Sequence, residues 1–264
     1  MIHCYTKVTL ELAVDKYLDT FTMDGNNLNN HKENGNKVSA VSYVRISTSF
    51  YTLFQITGIL IVLSVFFWLH NFRNGFGFSE IGKVCNWHPL LMTIAFIYLF
   101  ANSILHFRYF HNDDKLLLKI QHAIIHCIII IVAAFGIWAG LSSNKIAKPP
   151  VPKFYSLHSW LGIITIILFV SQFSSGFVSF LYPEINVQYK KALMPYHKSF
   201  GILTFVLSVV TTVLGFSEKI ISALNCQHNC MPTEGLLLNF LGIIVLFYSI
   251  LVLYLLIKPD HKKS

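Results

Sequence analysis

Beyond residue 45 the chain alternates between long apolar runs and short polar stretches. A helix needs about 20 consecutive apolar residues to cross roughly 30 Å of hydrocarbon, and each of six runs is long enough. The pattern predicts transmembrane helices near Ser49–Leu69, His88–Phe107, Ile120–Leu141, Leu157–Tyr182, His197–Phe216 and Gly235–Ile257. The connections hold breakers and charges: Asn74-Gly75, Asp113-Asp114, Lys148-Pro149-Pro150, Pro183-Glu184 and Cys226–Pro232. Residues 1–45 are polar and Asn-rich, with few aromatic residues. Such a stretch buries too little apolar surface to offset its ordering entropy, so a flexible tail is expected there. It lacks the basic-then-apolar layout of a cleaved signal peptide. The first helix is then expected to act as its own insertion signal. No Asn-x-Ser/Thr acceptor site occurs.

Composition agrees with lipid as the main solvent. Hydrophobic residues make up 54% of the 264 and charged residues 12%, about half the roughly 25% of a soluble domain. The formal charge of +8 could suggest a nucleic-acid partner. The lysines and arginines sit in short loops between apolar runs, which excludes that reading and fits the positive-inside rule. One set of flanks carries Lys37, Arg45, Arg108, Lys115, Lys119, Lys190, Lys191, Lys198, Lys258, Lys262 and Lys263. The opposite set carries Arg73, Lys83, Lys145, Lys148, Lys153 and Lys219. The richer set marks the cytoplasmic face, so both termini are expected there.

Of 12 histidines, His3, His31, His111, His228 and His261 lie in tails or loops, and His70 and His106 lie near helix ends. His88, His122, His126, His158 and His197 remain. An ionisable group within a membrane is a functional candidate, because burying it unpaired is costly. His88 and His158 open helices that run in one direction; His122 and His197 open helices that run in the other. Each pair therefore shares a depth, one near each face. A six-coordinate haem takes two axial imidazoles from opposite sides, and helical bundles build such sites from facing helices. His126 stands one turn beyond His122 on the same face, so spacing alone permits either as a ligand. Packed or interfacial histidines are the plain alternative. Zinc is the chemical one, but it prefers tetrahedral sites with carboxylate or thiolate ligands, and these histidines have no acidic neighbour within the membrane.

The motifs resemble those of the cytochrome b561 family over about residues 50–258. Asn86-Trp87-His88-Pro89, Lys119-Ile120-Gln121-His122, Tyr155-Ser156-Leu157-His158-Ser159-Trp160-Leu161-Gly162, Leu193-Met194-Pro195-Tyr196-His197, Gly215-Phe216-Ser217-Glu218-Lys219 and Glu234-Gly235 follow in the family's order. The resemblance implies an all-α membrane protein with six transmembrane helices, helices 2–5 forming a central four-helix bundle around two haems b. His88 and His158 would hold one haem, and His122 and His197 the other. It also favours His122 over His126 as the ligand. Organisation would be a cytoplasmic tail (1–45), the six-helix domain (46–258) and a short cytoplasmic C-terminal tail (259–264).

The resemblance further implies ascorbate as cytoplasmic donor, a ferric iron chelate or monodehydroascorbate as acceptor across the membrane, and a homodimer in an endomembrane vesicle or the plasma membrane. Arg108, Lys115, Lys119 and Lys190 align with basic positions of the family's donor pocket, and clustered cations concentrate an anion such as ascorbate. Many relatives carry a histidine in the loop before helix 4; here Ser142–Pro150 has none. Asn144 and Lys145 are the candidates in its place, and a basic loop suits an anionic acceptor such as an iron chelate.

Gly136, Gly162, Gly176, Gly201 and Gly215 allow close approach of a helix or a flat macrocycle. Gln172 could hydrogen-bond near a haem or to a neighbouring helix. Cys127 reads as a small buried apolar residue. Cys85, Cys226 and Cys230 fall on the outer face, where a Cys226–Cys230 bridge is feasible. Two other functions remain open: a haem-bearing subunit exchanging electrons with quinol or a partner protein, and a histidine-based metal transporter.

Overall fold

The computed structural model describes residues 48–110, 113–146, 154–181, 186–223 and 233–257. Both tails, Cys226, Cys230 and His228 lie outside them. The described residues form helices and turns without a strand. Six helices are long and apolar enough to cross a membrane, as an integral multi-pass protein requires.

Helix α1 runs Thr48–Phe72. It ends where Asn74 and Gly75 turn into positive φ, at 60° and 71°. The Gly75 N–H reaches back to the Leu69 carbonyl at 3.0 Å, a left-handed C-cap. The buried Asn86 amide then donates to the carbonyls of Arg73 and Gly75, at 2.8 and 2.6 Å. The first residue of the Asn-Trp-His-Pro motif thereby ties the turn after α1 to the helix that carries His88.

Helix α2 comprises Ile81–Met92, a π-helical segment Thr93–Leu99, and Phe100–Tyr109. Pro89 has no N–H to give and crowds the preceding turn. The Thr93 hydroxyl donates to the Pro89 carbonyl at 2.7 Å, and the wide turns begin there.

Helix α3 spans Lys115–Ile146 and α5 spans Val187–Ala223. Both exceed the lengths read from hydropathy. At 37 residues, α5 is about 55 Å long at roughly 1.5 Å per residue, well beyond the hydrocarbon. Pro195 lies inside this helix rather than before it. The segment before His197 is polar, so hydropathy ends early while backbone hydrogen bonding continues. Similarly, Ser142–Ile146, read as loop, continue α3, so Asn144 and Lys145 lie on its last turn.

Helix α4 runs Leu157–Gly176 and continues as a π-helical segment Phe177–Leu181. Ser156 is its N-cap, accepting from the Ser159 N–H at 3.2 Å. The cap fixes the helix start at Leu157, one residue before His158. Helix α6 is Thr233–Ile257.

Helices α2 and α3 pack along their length, as do α4 and α5, and α2 bridges the pairs by packing on α5 through its π-helical segment. This is the expected central four-helix bundle. Helix α6 lies against α1, α2 and α5. The densest core fills the α1–α2–α6 side, with Phe54, Val65, Trp68, Phe100, Leu238 and Tyr248 buried. Helix α4 buries little beyond Thr165 and Phe169. The exposed faces of α1, α3 and α6 are rows of Ile, Leu and Phe, as lipid contact demands. Cys127 belongs to such a row. It is exposed beside Ile124, Ile128 and Ile131, correcting the expectation of burial. One residue round from the buried His126, its side chain points about 100° away, toward lipid.

Candidate functional site

The His88 and His158 rings lie with centres 6.0 Å apart and planes at 88°. Each is held from behind by the neighbouring helix. His88 Nδ1 is 2.9 Å from the Gly136 carbonyl on α3. His158 Nδ1 is 2.8 Å from the Thr211 carbonyl on α5. A carbonyl only accepts, so both Nδ1 atoms carry the proton and both Nε2 lone pairs remain free. That is how proteins orient metal-binding imidazoles. The two anchors share one design. Four residues beyond each accepting carbonyl stands a glycine against the same ring. A Cβ on Gly140 would lie 3.0 Å from His88 Nδ1, and one on Gly215 would lie 2.9 Å from His158 Cε1. Any larger residue would displace the imidazole.

His122 Nδ1 on α3 meets the Ser103 carbonyl at 3.1 Å and the Ser103 hydroxyl at 2.9 Å. His197 on α5 rests against Gly176, where a Cβ would come within 2.7 Å of the ring. Its Nδ1 has no partner among the described residues. His122 and His197 lie within electrostatic reach of each other. The four helices thus bring one histidine pair together at each end of the bundle.

These residues suit a bis-imidazole metal group. A metal-bound imidazole nitrogen lies about 2.0–2.1 Å from the metal and its ring centre roughly 1 Å further, so opposed rings have centres about 6 Å apart. The His88–His158 spacing matches that, and both free nitrogens belong to fixed tautomers. Among the described residues, no three His, Cys, Asp or Glu side chains converge as a protein-only metal site would need.

Between the two ends lies a cluster of aromatic rings from α2, α4 and α5. Phe96, Phe100, Phe169 and Phe205 meet edge to face at 5.0–6.4 Å. His126 joins this cluster to His122: its ring is 4.4 Å from His122, 5.0 Å from Phe169 and 5.8 Å from Phe100. Neither of its nitrogens has a partner among the described residues, so the structure gives no core hydrogen bond for it. Gln172, Ser175, Ser179 and Tyr196 line a cavity of about 120 Å³ beside His197.

The basic residues at the His122 end divide. Lys119 is within electrostatic reach of Lys115 and Lys190. Arg108 instead donates through Nη1 to the Leu255 carbonyl at 2.8 Å, closing the end of α6. At the His88 end, Asn144 and Lys145 occupy the final turn of α3.

Several residues there belong to the motifs quoted above, which assign them no role. Lys219 and Glu218 lie within electrostatic reach of His88, and Lys219 Nζ sits 4.0 Å from Cys85 Sγ. The Tyr155 hydroxyl donates to Glu218 at 2.9 Å. This hydrogen bond, then partial burial, raises the Tyr155 pKa above its ordinary value. Glu234, buried at the start of α6, accepts from Trp68 Nε1 at 2.7 Å and Arg73 Nε at 2.6 Å. Gly140 and Ser103 went unnoticed in the sequence. Gly136-x-x-x-Gly140 is a small-residue spacing visible in the sequence. Asn102-Ser103 is likewise a polar pair inside an apolar run.

Known proteins resemble this chain over most of its length. The family profile for eukaryotic cytochrome b561 matches residues 87–223. The transmembrane ascorbate-dependent reductase CYB561 of Sus scrofa is 33% identical over 209 residues, 79% of this chain and 82% of the relative. The Homo sapiens protein of that name is also 33% identical over 209 residues, with the same coverage. The plasma membrane ascorbate-dependent reductase CYBRD1 of Mus musculus is 31% identical over 211 residues, 79% of this chain and 72% of the relative. The chain belongs to the eukaryotic cytochrome b561 family.

Proposed function

We propose that this protein is a transmembrane oxidoreductase that takes electrons from ascorbate on the cytoplasmic face and delivers them to an acceptor on the other. Family membership implies bound haem b. His88 and His158 would hold one haem, and His122 and His197 a second. When bound, a haem supplies a one-electron ferric/ferrous couple. The observation that carries this reading is the opposed His88–His158 pair, with both Nδ1–H groups committed to backbone carbonyls. Its support from similarity is the name ascorbate-dependent reductase, carried by relatives that align over most of their length.

The chain's own residues have four tasks. The backbone carbonyls of Gly136, Thr211 and Ser103 orient the imidazoles. Gly140, Gly176 and Gly215 leave room for the rings. The aromatic cluster around Phe100 and Phe169 fills the interior between the ends and keeps it dry. On the charge balance of the loops, the His122 end would face the cytoplasm. There Lys119, with Lys115, Lys190 and Arg108, would attract anionic ascorbate, Arg108 also holding the end of α6 through one N–H. At the opposite end, Asn144, Lys145 and Lys219 suit an anionic acceptor, which favours a ferric chelate; monodehydroascorbate is the other acceptor of the family.

The test uses the haem-loaded protein in sealed vesicles, with a ferric chelate inside and ascorbate outside. Ferrous iron should accumulate inside only when the protein is present. Full haem loading with no transfer from ascorbate, but transfer from a quinol, would replace this reading with that of a quinol-linked cytochrome.

A further inference from the structure

Ser103 differs from most hydroxyl residues within these helices; Ser208 also reaches across, to the Phe96 carbonyl at 3.2 Å, but its closer bond is to Phe205 of its own helix at 2.7 Å. Thr93, Thr165, Thr204, Thr212 and Ser249 each turn back to the carbonyl four residues earlier, at 2.7–2.8 Å. That is the usual way a helix satisfies a hydroxyl away from water. Ser103 is fully buried, and its hydroxyl instead points across the helix pair to His122 Nδ1 at 2.9 Å. Its own carbonyl faces the same nitrogen at 3.1 Å. One residue on α2 thus presents two oxygens to one imidazole.

None of the other three proposed ligands has such an arrangement. His88 and His158 each meet a single carbonyl. His197 Nδ1 meets no described partner. The backbone before Ser103 is also clamped. Gln55 on α1 donates to the Asn102 side chain at 2.5 Å and accepts from the Tyr98 hydroxyl at 3.0 Å, while Asn102 donates to the Tyr98 carbonyl at 2.9 Å. This polar clamp ties α2 to α1 where the π-helical segment ends, immediately before Ser103.

We propose that Ser103 is a positioning residue that lowers the reduction potential of the haem held by His122 and His197. The inference rests on the haem reading above. With Nε2 bound to metal, Nδ1 carries the proton, and both Ser103 oxygens can accept it. Acceptors behind a metal-bound imidazole withdraw its proton in part and make the ring a more basic ligand. A more basic axial ligand stabilises ferric over ferrous iron, which lowers the potential. The carbonyl stays whatever the side chain is, so the hydroxyl's share can be isolated by substitution.

The experiment is a spectroelectrochemical titration of haem-loaded wild type, Ser103→Ala and Ser103→Thr, repeated in a His158→Ala background that retains only the haem in question. Ser103→Ala should keep two haems per chain, raise one midpoint potential and leave the other unchanged. Ser103→Thr, which keeps the hydroxyl, should restore the wild-type value. The shift should persist in the His158→Ala background. If Ser103→Ala proves unstable, Ser103→Cys, with a weaker acceptor, should shift the potential the same way. Two retained haems with unchanged potentials would overturn the proposal, as would equal shifts in both. A wild-type protein with fewer than two haems would overturn the haem reading itself.

Discussion

His88 and His158 stand opposite each other across the bundle, 6.0 Å between ring centres with their planes near perpendicular, each pinned by its Nδ1–H to a carbonyl of the next helix. Under the proposed function the two imidazoles share one haem. Replacing His158 with alanine is expected to lower haem content from two per chain to one, read from the reduced-minus-oxidised spectrum and a haem assay. Retention of both haems would refute the pairing.

Gly215 should tolerate no side chain. A Cβ there would lie 2.9 Å from His158 Cε1, whereas one at Gly201 would meet nothing within 4 Å. Gly215→Ala is expected to weaken or distort one haem site, seen as altered low-spin resonance signals for one haem only. Gly201→Ala should leave the spectrum unchanged.

Glu234 holds two donors on one oxygen. Glu234→Ala would strand Trp68 Nε1 and the Arg73 guanidinium, whose Nη2 already lacks a partner among the described residues. Breaking a buried ion pair from one side costs about 3–5 kcal/mol, and Arg73 is partly exposed, so a loss of about 2–4 kcal/mol is expected. Glu234→Gln keeps an acceptor and should lose less. Thermal unfolding in detergent, followed by circular dichroism, compares them.

Tyr155 and Glu218 give a pH dependence with a defined sign. The folded protein holds the Tyr155 proton more tightly than the unfolded chain. The resulting stability is therefore fully present below the ordinary tyrosine value of about 10 and is lost as pH rises from there through the raised folded value. Glu218→Gln should bring Tyr155 back toward that value. Tyrosinate absorbance, with Tyr155→Phe subtracted, tests this; an unchanged titration would show that Glu218 is not the cause.

Lys119 should matter to ascorbate more than to the haems. Lys119→Ala is expected to raise the KM for ascorbate about 3–10-fold and to weaken its salt dependence, with haem spectra unchanged. A change in maximal rate at constant KM would place Lys119 outside donor binding.

The sequence made the histidine levels legible because helices alternate in direction, so a residue's place in its apolar run gives its depth. Asn86 and Ser156 could be read as parts of motifs; their roles as turn anchor and N-cap follow from local geometry. The starts of α3 and α5 were misplaced because a polar helix that leaves the bilayer carries no apolar signal, and because Pro195 reads as a boundary although it lies within a helix. Cys127 faces lipid for a reason hydropathy cannot express: it is as apolar as its inward-facing neighbours. Ser103 and Gly140 escaped notice because their importance depends on the rotation of α2 against α3, which the pattern along one helix does not contain.

The central claim is that paired imidazoles at each end of the bundle hold one haem each. Its most direct test is the haem stoichiometry of the purified chain, expressed with ample haem and examined by absorption and low-temperature electron paramagnetic resonance. The account predicts two haems b per folded chain, both low-spin and bis-histidine. A folded, colourless protein, or one with a single haem unaffected by His158→Ala, would contradict it.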